Sequence, residues 1–180
     1  AKLTYLSATD SGALTSGWVQ SGSWTVPVPN AAPTVTSLTP ASGSGATQTF
    51  TAAVSDANGF ADIATAAFLV NASLSTANGC YIQYTRSTNT FALFQDSTNS
   101  WVSAPASNPN CTLSSTGLAA SGAGNSLTLT LPITFASGFS GAKLTYLNAV
   151  DAGSLTSGWV QSGSWTVPAP NVAPTVTSDR

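Results

Sequence analysis

The strongest source of chemistry in this sequence is its acid set: six residues, every one an Asp. Three of them fall in two glycine-punctuated segments. Asp56-Ala57-Asn58-Gly59 is followed closely by Asp62, and Asp151-Ala152-Gly153 lies far downstream. Carboxylate and amide oxygens are the ligands that a hard cation such as Ca²⁺ takes, so Asp56, Asn58, Asp62 and Asp151 make one candidate metal set. Calcium is the one cofactor the sequence suggests. The competing reading is a pair of turns, because Asp and Asn side chains bond their own backbone two residues on and Asn-Gly suits tight turns. With no Glu and no complete EF-hand pattern, the turn reading is the stronger on sequence alone.

Other chemistry is mostly excluded. The chain has no His, which removes the commonest general base and the commonest transition-metal ligand. Asp10-Ser11-Gly12 could belong to a paired-carboxylate acid/base site, but the related segment at 151–153 replaces the hydroxyl with Ala152. No G-x-S-x-G elbow occurs, and a Ser nucleophile would have no His to activate it. Lys143 reads as a strand-start surface charge. We therefore expect no enzymatic activity and no catalytic residue. Four Lys and Arg residues in all cannot neutralise a phosphate backbone, which excludes nucleic acid as a partner. The longest largely apolar stretch, residues 63–70, is far short of the roughly 20 residues of a membrane-spanning helix.

Cys80 and Cys111 are the only cysteines. As a disulfide they would close a loop of about 30 residues, worth about 3–4 kcal/mol in the chain-entropy account; the alternative is two buried free thiols. Trp18, Trp24, Trp159 and Trp165 have the shape of sugar-stacking platforms, but their recurrence within a terminal strand favours core or sheet-face packing. Trp101 stands apart from them and is the candidate for ligand stacking. Asn71-Ala72-Ser73 and Asn110-Cys111-Thr112 match the N-glycosylation acceptor pattern, a short motif that also arises by chance.

Composition sets the class. Only 6 % of residues are charged, and the net charge is −2. Apolar content is nevertheless 42 %, with five Trp and seven Phe, enough to build a core and too much for a disordered chain. Ser and Thr together supply 53 of the 180 residues, so hydroxyls and amides carry the solubility. Low charge, few Lys and one cysteine pair fit an extracellular or cell-surface protein. The absence of a Met start and of a leader suits a processed product or an internal slice.

One duplication dominates the organisation. Residues 1–37 and 142–178 agree at 31 of 37 positions, differing only at Ser7/Asn148, Thr9/Val150, Ser11/Ala152, Ala13/Ser154, Val28/Ala169 and Ala31/Val172. A duplication this close predicts a tandem array with a period near 141 residues. Asn30 stands among Pro27, Pro29 and Pro33, as Asn171 stands among Pro168, Pro170 and Pro174; such Pro-rich punctuation cannot continue a sheet and reads as a stiff linker. The expected frame is therefore residues 1–27 as the last two strands of a preceding repeat and 28–32 as linker. Residues 33–168 are then the complete unit, and 169–180 the linker and start of the next.

Within 33–168 the apolar pattern has period two and is broken by Gly, Asn and Ser. Strands are expected at 35–39, at 46–55 with Phe50, Ala52 and Val54 on one face, and at 63–71 in a central position. A hairpin is expected from 80–85 and 90–95, followed by short strands near Trp101 and Cys111. Leu127, Leu129 and Leu131 alternate with Ser and Thr, and strands at 143–150 and 158–167 close the unit. Seven to nine strands at this spacing predict an all-β, immunoglobulin-like β-sandwich.

The opening APTVTSLTPASGSGATQTFTAAVSDANGFADI and the closing LTYLNAVDAGSLTSGWVQSGSWTV resemble bacterial immunoglobulin-like repeats of large secreted proteins. The resemblance covers the whole unit, is weakest over 72–125, and marks no active site. It implies that the two segments supply strands A to C and strands F and G. Such repeats serve as stalks, adhesin shafts or fibre subunits. The expected function is thus a non-enzymatic structural repeat of an extracellular fibre, stalk or surface array, whose partners are neighbouring copies joined head-to-tail. The alternatives are an adhesive or carbohydrate-binding module with glycan partners, or an accessory domain of a large secreted hydrolase. The frame carries its own structural expectation: residues 1–27 should stay outside the sheets formed by 33–168.

Overall fold

Alternation of apolar and hydroxyl side chains, with hardly a helical stripe anywhere, leaves the chain little choice but strands. The computed structural model describes residues 1–173. A first hairpin comprises β1 (Lys2–Leu6) and β2 (Val19–Trp24). Then follow β3 (Thr34–Thr39), β4 (Ser42–Ser44), β5 (Thr47–Ser55), β6 (Ile63–Asn71), β7 (Cys80–Thr85), β8 (Thr90–Gln95) and β9 (Ser100–Ser103). The remaining strands are β10 (Ala106–Ser107), β11 (Cys111–Leu113), β12 (Ala119–Ala123), β13 (Ser126–Phe135), β14 (Gly141–Asp151) and β15 (Val160–Val167).

Two sheets face each other across one core, as in a β-sandwich. The smaller runs β10-β11-β13-β5-β3, with β12 also on β13; the larger runs β4-β15-β14-β6-β7-β8-β9. Leu127, Leu129, Leu131 and Ile133 of β13 point inward beside Phe50, Ala52 and Val54 of β5, all buried. They meet Phe68, Ile82 and Leu93 from the larger sheet. Phe50 is fully buried at the centre, its ring 5.2 Å from that of Phe68 and 5.3 Å from that of Trp165. Strand β6 is buried on both faces: Phe68 looks into the core, while Leu69 lies under the outer aromatics Tyr81 and Tyr146, its neighbours in register. That is why its sequence is almost continuously apolar rather than alternating.

The expected strands at 46–55, 63–71, 80–85 and 90–95 are present with nearly the same limits, and the hairpin turn closes on Asn89 in the left-handed region. The expected count is too low. Residues 34–167 hold thirteen strands rather than seven to nine. Three of them, β4, β10 and β12, fall on no expected segment: they are Ser-, Gly- and Ala-rich stretches at sheet edges, where backbone pairing needs no apolar side chain and leaves no periodic signal.

Register also fixes the two ends. Strand β14 climbs from Gly141 to Asp151, and β15 returns so that Val167 pairs with Gly141. Strand β3 starts at the Asp151 end, where Thr34 pairs with Ser55. The chain therefore enters the sandwich at one pole and leaves β15 at the other.

The β1–β2 hairpin makes its own two-stranded sheet and pairs with no strand of the sandwich. It repeats the β14–β15 hairpin in detail. Both have a bulge at the equivalent place (Thr4/Tyr5 and Thr145/Tyr146), and both carry an isolated bridge near the tip (Thr9 with Thr15, Val150 with Thr156). Ala13 and Ser154 share a positive φ, as do Gly17 and Gly158. Of the residues expected to form a linker and the start of a further repeat, 169–180, the last seven lie outside the described residues.

Candidate functional site

The entry pole gathers the acids. Strand β5 ends at Ser55, and the turn to β6 folds back on Asp56, whose Oδ1 accepts the Asn58 amide at 2.7 Å. Gly59 completes the turn at φ 107°, a conformation that L side chains avoid. A short 3₁₀ turn (Phe60–Asp62) then carries Asp62 over the end of the sheet. Across from it, Asp151 ends β14 and caps its own loop, its Oδ1 accepting the Leu155 amide at 2.8 Å. The Ala152 amide donates to the Asp62 carbonyl at 2.7 Å and ties the two loops together. One carboxylate oxygen from each of Asp56, Asp62 and Asp151 lies within 4.8 Å of one from each of the others. Asp56 and Asp151 are buried, at 1 % and 2 % exposure, and Asp62 is half-buried. These residues form the turns expected of them, and the turns also bring the three carboxylates together.

The incoming linker is laid across this cluster. Asn30 Nδ2 donates to Asp151 Oδ2 at 2.9 Å. Asn58, expected among the metal ligands, bonds the linker: its Oδ1 accepts the Ala31 amide at 2.9 Å, and its Nδ2 donates to the Pro29 carbonyl at 3.1 Å. Val28, Asn30, Asn58, Asp62 and Gly153 line an open cleft at this junction. Asn30 carries no signature of a ligand in the sequence; its one signal is its recurrence as Asn171 between the same prolines.

Cys80 of β7 and Cys111 of β11 are joined, with Cα atoms 5.6 Å apart, and so the bond staples the two sheets. Both residues are buried.

Trp101, the stacking candidate, stands on the outer face of the larger sheet and is 38 % exposed. Its ring centroid lies 4.7 Å from Tyr81 and 5.2 Å from Phe94, and Trp159 reaches Tyr81 at 5.8 Å. The rings meet at 61–65°, edge to face, which packs them well against one another but offers no flat row for successive sugars. Burial raises the Tyr81 phenol above its ordinary 10.0. Of the two glycosylation candidates, Asn71 uses its Nδ2 on the carbonyls of Ser75 and Ala77, and Asn110 donates to Gly79 beside the disulfide. A sugar on either nitrogen would take one of its two hydrogens, so Asn71 would lose one of its two bonds.

No known protein-family model matches the chain, and no curated protein matches it. What the molecule does must be argued from its own geometry.

Proposed function

We propose that this chain is a stretch of a head-to-tail tandem array of immunoglobulin-like sandwiches, a non-enzymatic structural shaft of an extracellular or cell-surface protein. The observation that carries this reading is the contrast between two nearly identical hairpins. Leu147, Trp165 and Val167 of the seated copy are 1 %, 4 % and 1 % exposed, whereas their counterparts Leu6, Trp24 and Val26 are 68 %, 67 % and 61 % exposed. Soluble monomers rarely leave such an apolar face open, and two strands alone are at best marginally stable in water. The seated copy supplies the missing partner: a sandwich of the same kind, reached from the preceding part of one polypeptide.

Three further features support the array. The six differences between the copies fall at Asn148, Val150, Ala152, Ser154, Ala169 and Val172, none of them buried. Entry and exit lie at opposite poles, the arrangement that extends a chain of units rather than folding it back. The inter-sheet disulfide and the low charge suit an oxidising exterior.

The test is a chain in which residues 33–141 are fused ahead of Ala1, which supplies the β1–β2 hairpin with a sandwich. Trp18 and Trp24 should then lose access to acrylamide, and scattering should report an elongated two-unit particle. Unchanged quenching of Trp24, shown by comparison with Trp24→Phe, would remove the proposal. The rival reading, a glycan-binding module, draws on the Tyr81–Phe94–Trp101 cluster. A glycan array answering to the wild type and not to Trp101→Ala would favour it.

A further inference from the structure

We propose that Asp56, Asp62 and Asp151 bind one Ca²⁺ at the entry pole, with Asn30 of the linker completing the protein ligands. Three carboxylates in company do not by themselves make a site. The telling group is Asp56 Oδ2: it is buried, in a residue 1 % exposed, and accepts no hydrogen bond, although its own Oδ1 and both oxygens of Asp151 have donors. Native structures rarely leave a buried acceptor unsatisfied, and least of all a carboxylate beside two others. The cations of the sandwich do not answer it. Arg86 gives its Nε to the Ile63 carbonyl, and Lys143 stands near the other end of β14, where it gives its Nζ to the Ser140 carbonyl and lies over the Phe139 ring.

Size and ligand type suit Ca²⁺. Ligand oxygens around one Ca²⁺ sit about 2.3–2.6 Å from it and so span at most about 5 Å. The three carboxylate oxygens lie within 4.8 Å of one another. Asn30 Nδ2 already points at Asp151 Oδ2, and a half-turn of that amide presents its oxygen in place of its nitrogen. Gly153 keeps this approach open, since a Cβ there would stand 2.4 Å from Asn30 Nδ2. Binding stands on these residues alone. Its consequence, a linker locked to the sandwich it enters, rests on the array reading.

The full chain, stripped with a chelator, is titrated calorimetrically with CaCl₂ and separately with MgCl₂, and its thermal midpoint is followed. One Ca²⁺ per chain should bind in the range of about 10⁻⁴–10⁻³ M seen for extracellular modules, with Mg²⁺ at least about tenfold weaker. Asp62→Asn and Asp56→Asn should each weaken binding at least about tenfold; Asp62 is half-buried, so that variant stays informative should Asp56→Asn fold poorly. Asp10→Asn, the same turn in the exposed hairpin, should change nothing. No heat and no midpoint shift at about 10 mM Ca²⁺ would overturn the proposal. Equal losses in Asp10→Asn and Asp62→Asn would overturn it too, as unspecific binding. Neither result touches the array, which the fused chain tests separately.

Discussion

Gly163 holds β15 against the loop before β4 by having no side chain: a Cβ there would lie 1.9 Å from the Ala41 carbonyl oxygen. Its counterpart Gly22 would meet only Thr4 Oγ1, at 3.2 Å. Gly163→Ala should therefore cost about 1–3 kcal/mol, the usual range for forcing extra atoms into packed structure, and Gly22→Ala should stay within about 0.5 kcal/mol. Urea unfolding of the two variants side by side checks both, and equal effects would contradict the packing. At Cys80 and Cys111 the expectation rests on the closed loop between residues 31 apart. Reduction, or the paired change to Ser, should lower stability by about 3–4 kcal/mol, read from denaturant midpoints with and without reductant. The acid cluster was only half legible at this scale. Asp56, Asp62 and Asp151 declare themselves by type and spacing, but whether the loops converge depends on two strands nearly a hundred residues apart. Asn30 carries no chemical signature until its amide is seen on Asp151.

Strands carry their information unevenly. Where one face is buried, as in β5 and β13, alternation prescribes both the strand and its orientation, so Phe50 and Leu131 could be placed inward by reading alone. Where both faces are covered, as in β6, a continuous apolar run says strand and core together. Edge strands such as β10 and β12 bury little and leave no pattern, and for that reason the middle of the chain is the least legible part. Paired hairpins offer a direct measurement of what seating contributes. Trp165 packs on Phe50 and donates its indole N–H to the Gly45 carbonyl at 2.8 Å; Trp24, in the same local sequence, lies open to solvent. Trp165→Ala should cost about 3–5 kcal/mol and Trp24→Ala less than about 0.5 kcal/mol in the single chain. In the fused chain, thermal or denaturant melts should show the second cost rising toward the first; a cost that stays small would separate the two hairpins for good.

Across the whole molecule, few groups respond to pH. There is no His, and among the described residues burial perturbs the phenols of Tyr81 and Tyr84. Burial raises both phenols above 10.0, and for Tyr84 a smaller downward pull comes from Arg86. A raised folded value means the folded state keeps these protons longer than the unfolded one, so the linked stability is complete below about pH 10 and is lost as pH climbs through the raised values. Denaturant midpoints should be level from about pH 6 to 9 and fall above about 10, and Tyr81→Phe with Tyr84→Phe should flatten the fall. The parallel pairing of β4 with β15 has a consequence of another kind. Ser42, Gly43 and Ser44 run alongside Ser164, Trp165 and Thr166, flanked by the bonds from Ser164 N to Ala41 O and from Gly45 N to Thr166 O. Because the chain enters at one pole and exits at the other, tension on the ends would draw β15 lengthwise past β4. Every bond across that seam would then be loaded at once, whereas a hairpin pulled from its open end parts one bond at a time. The indole of Trp165 adds a crosspiece to the seam, so under a stretching force this small edge strand becomes the molecule's shear latch.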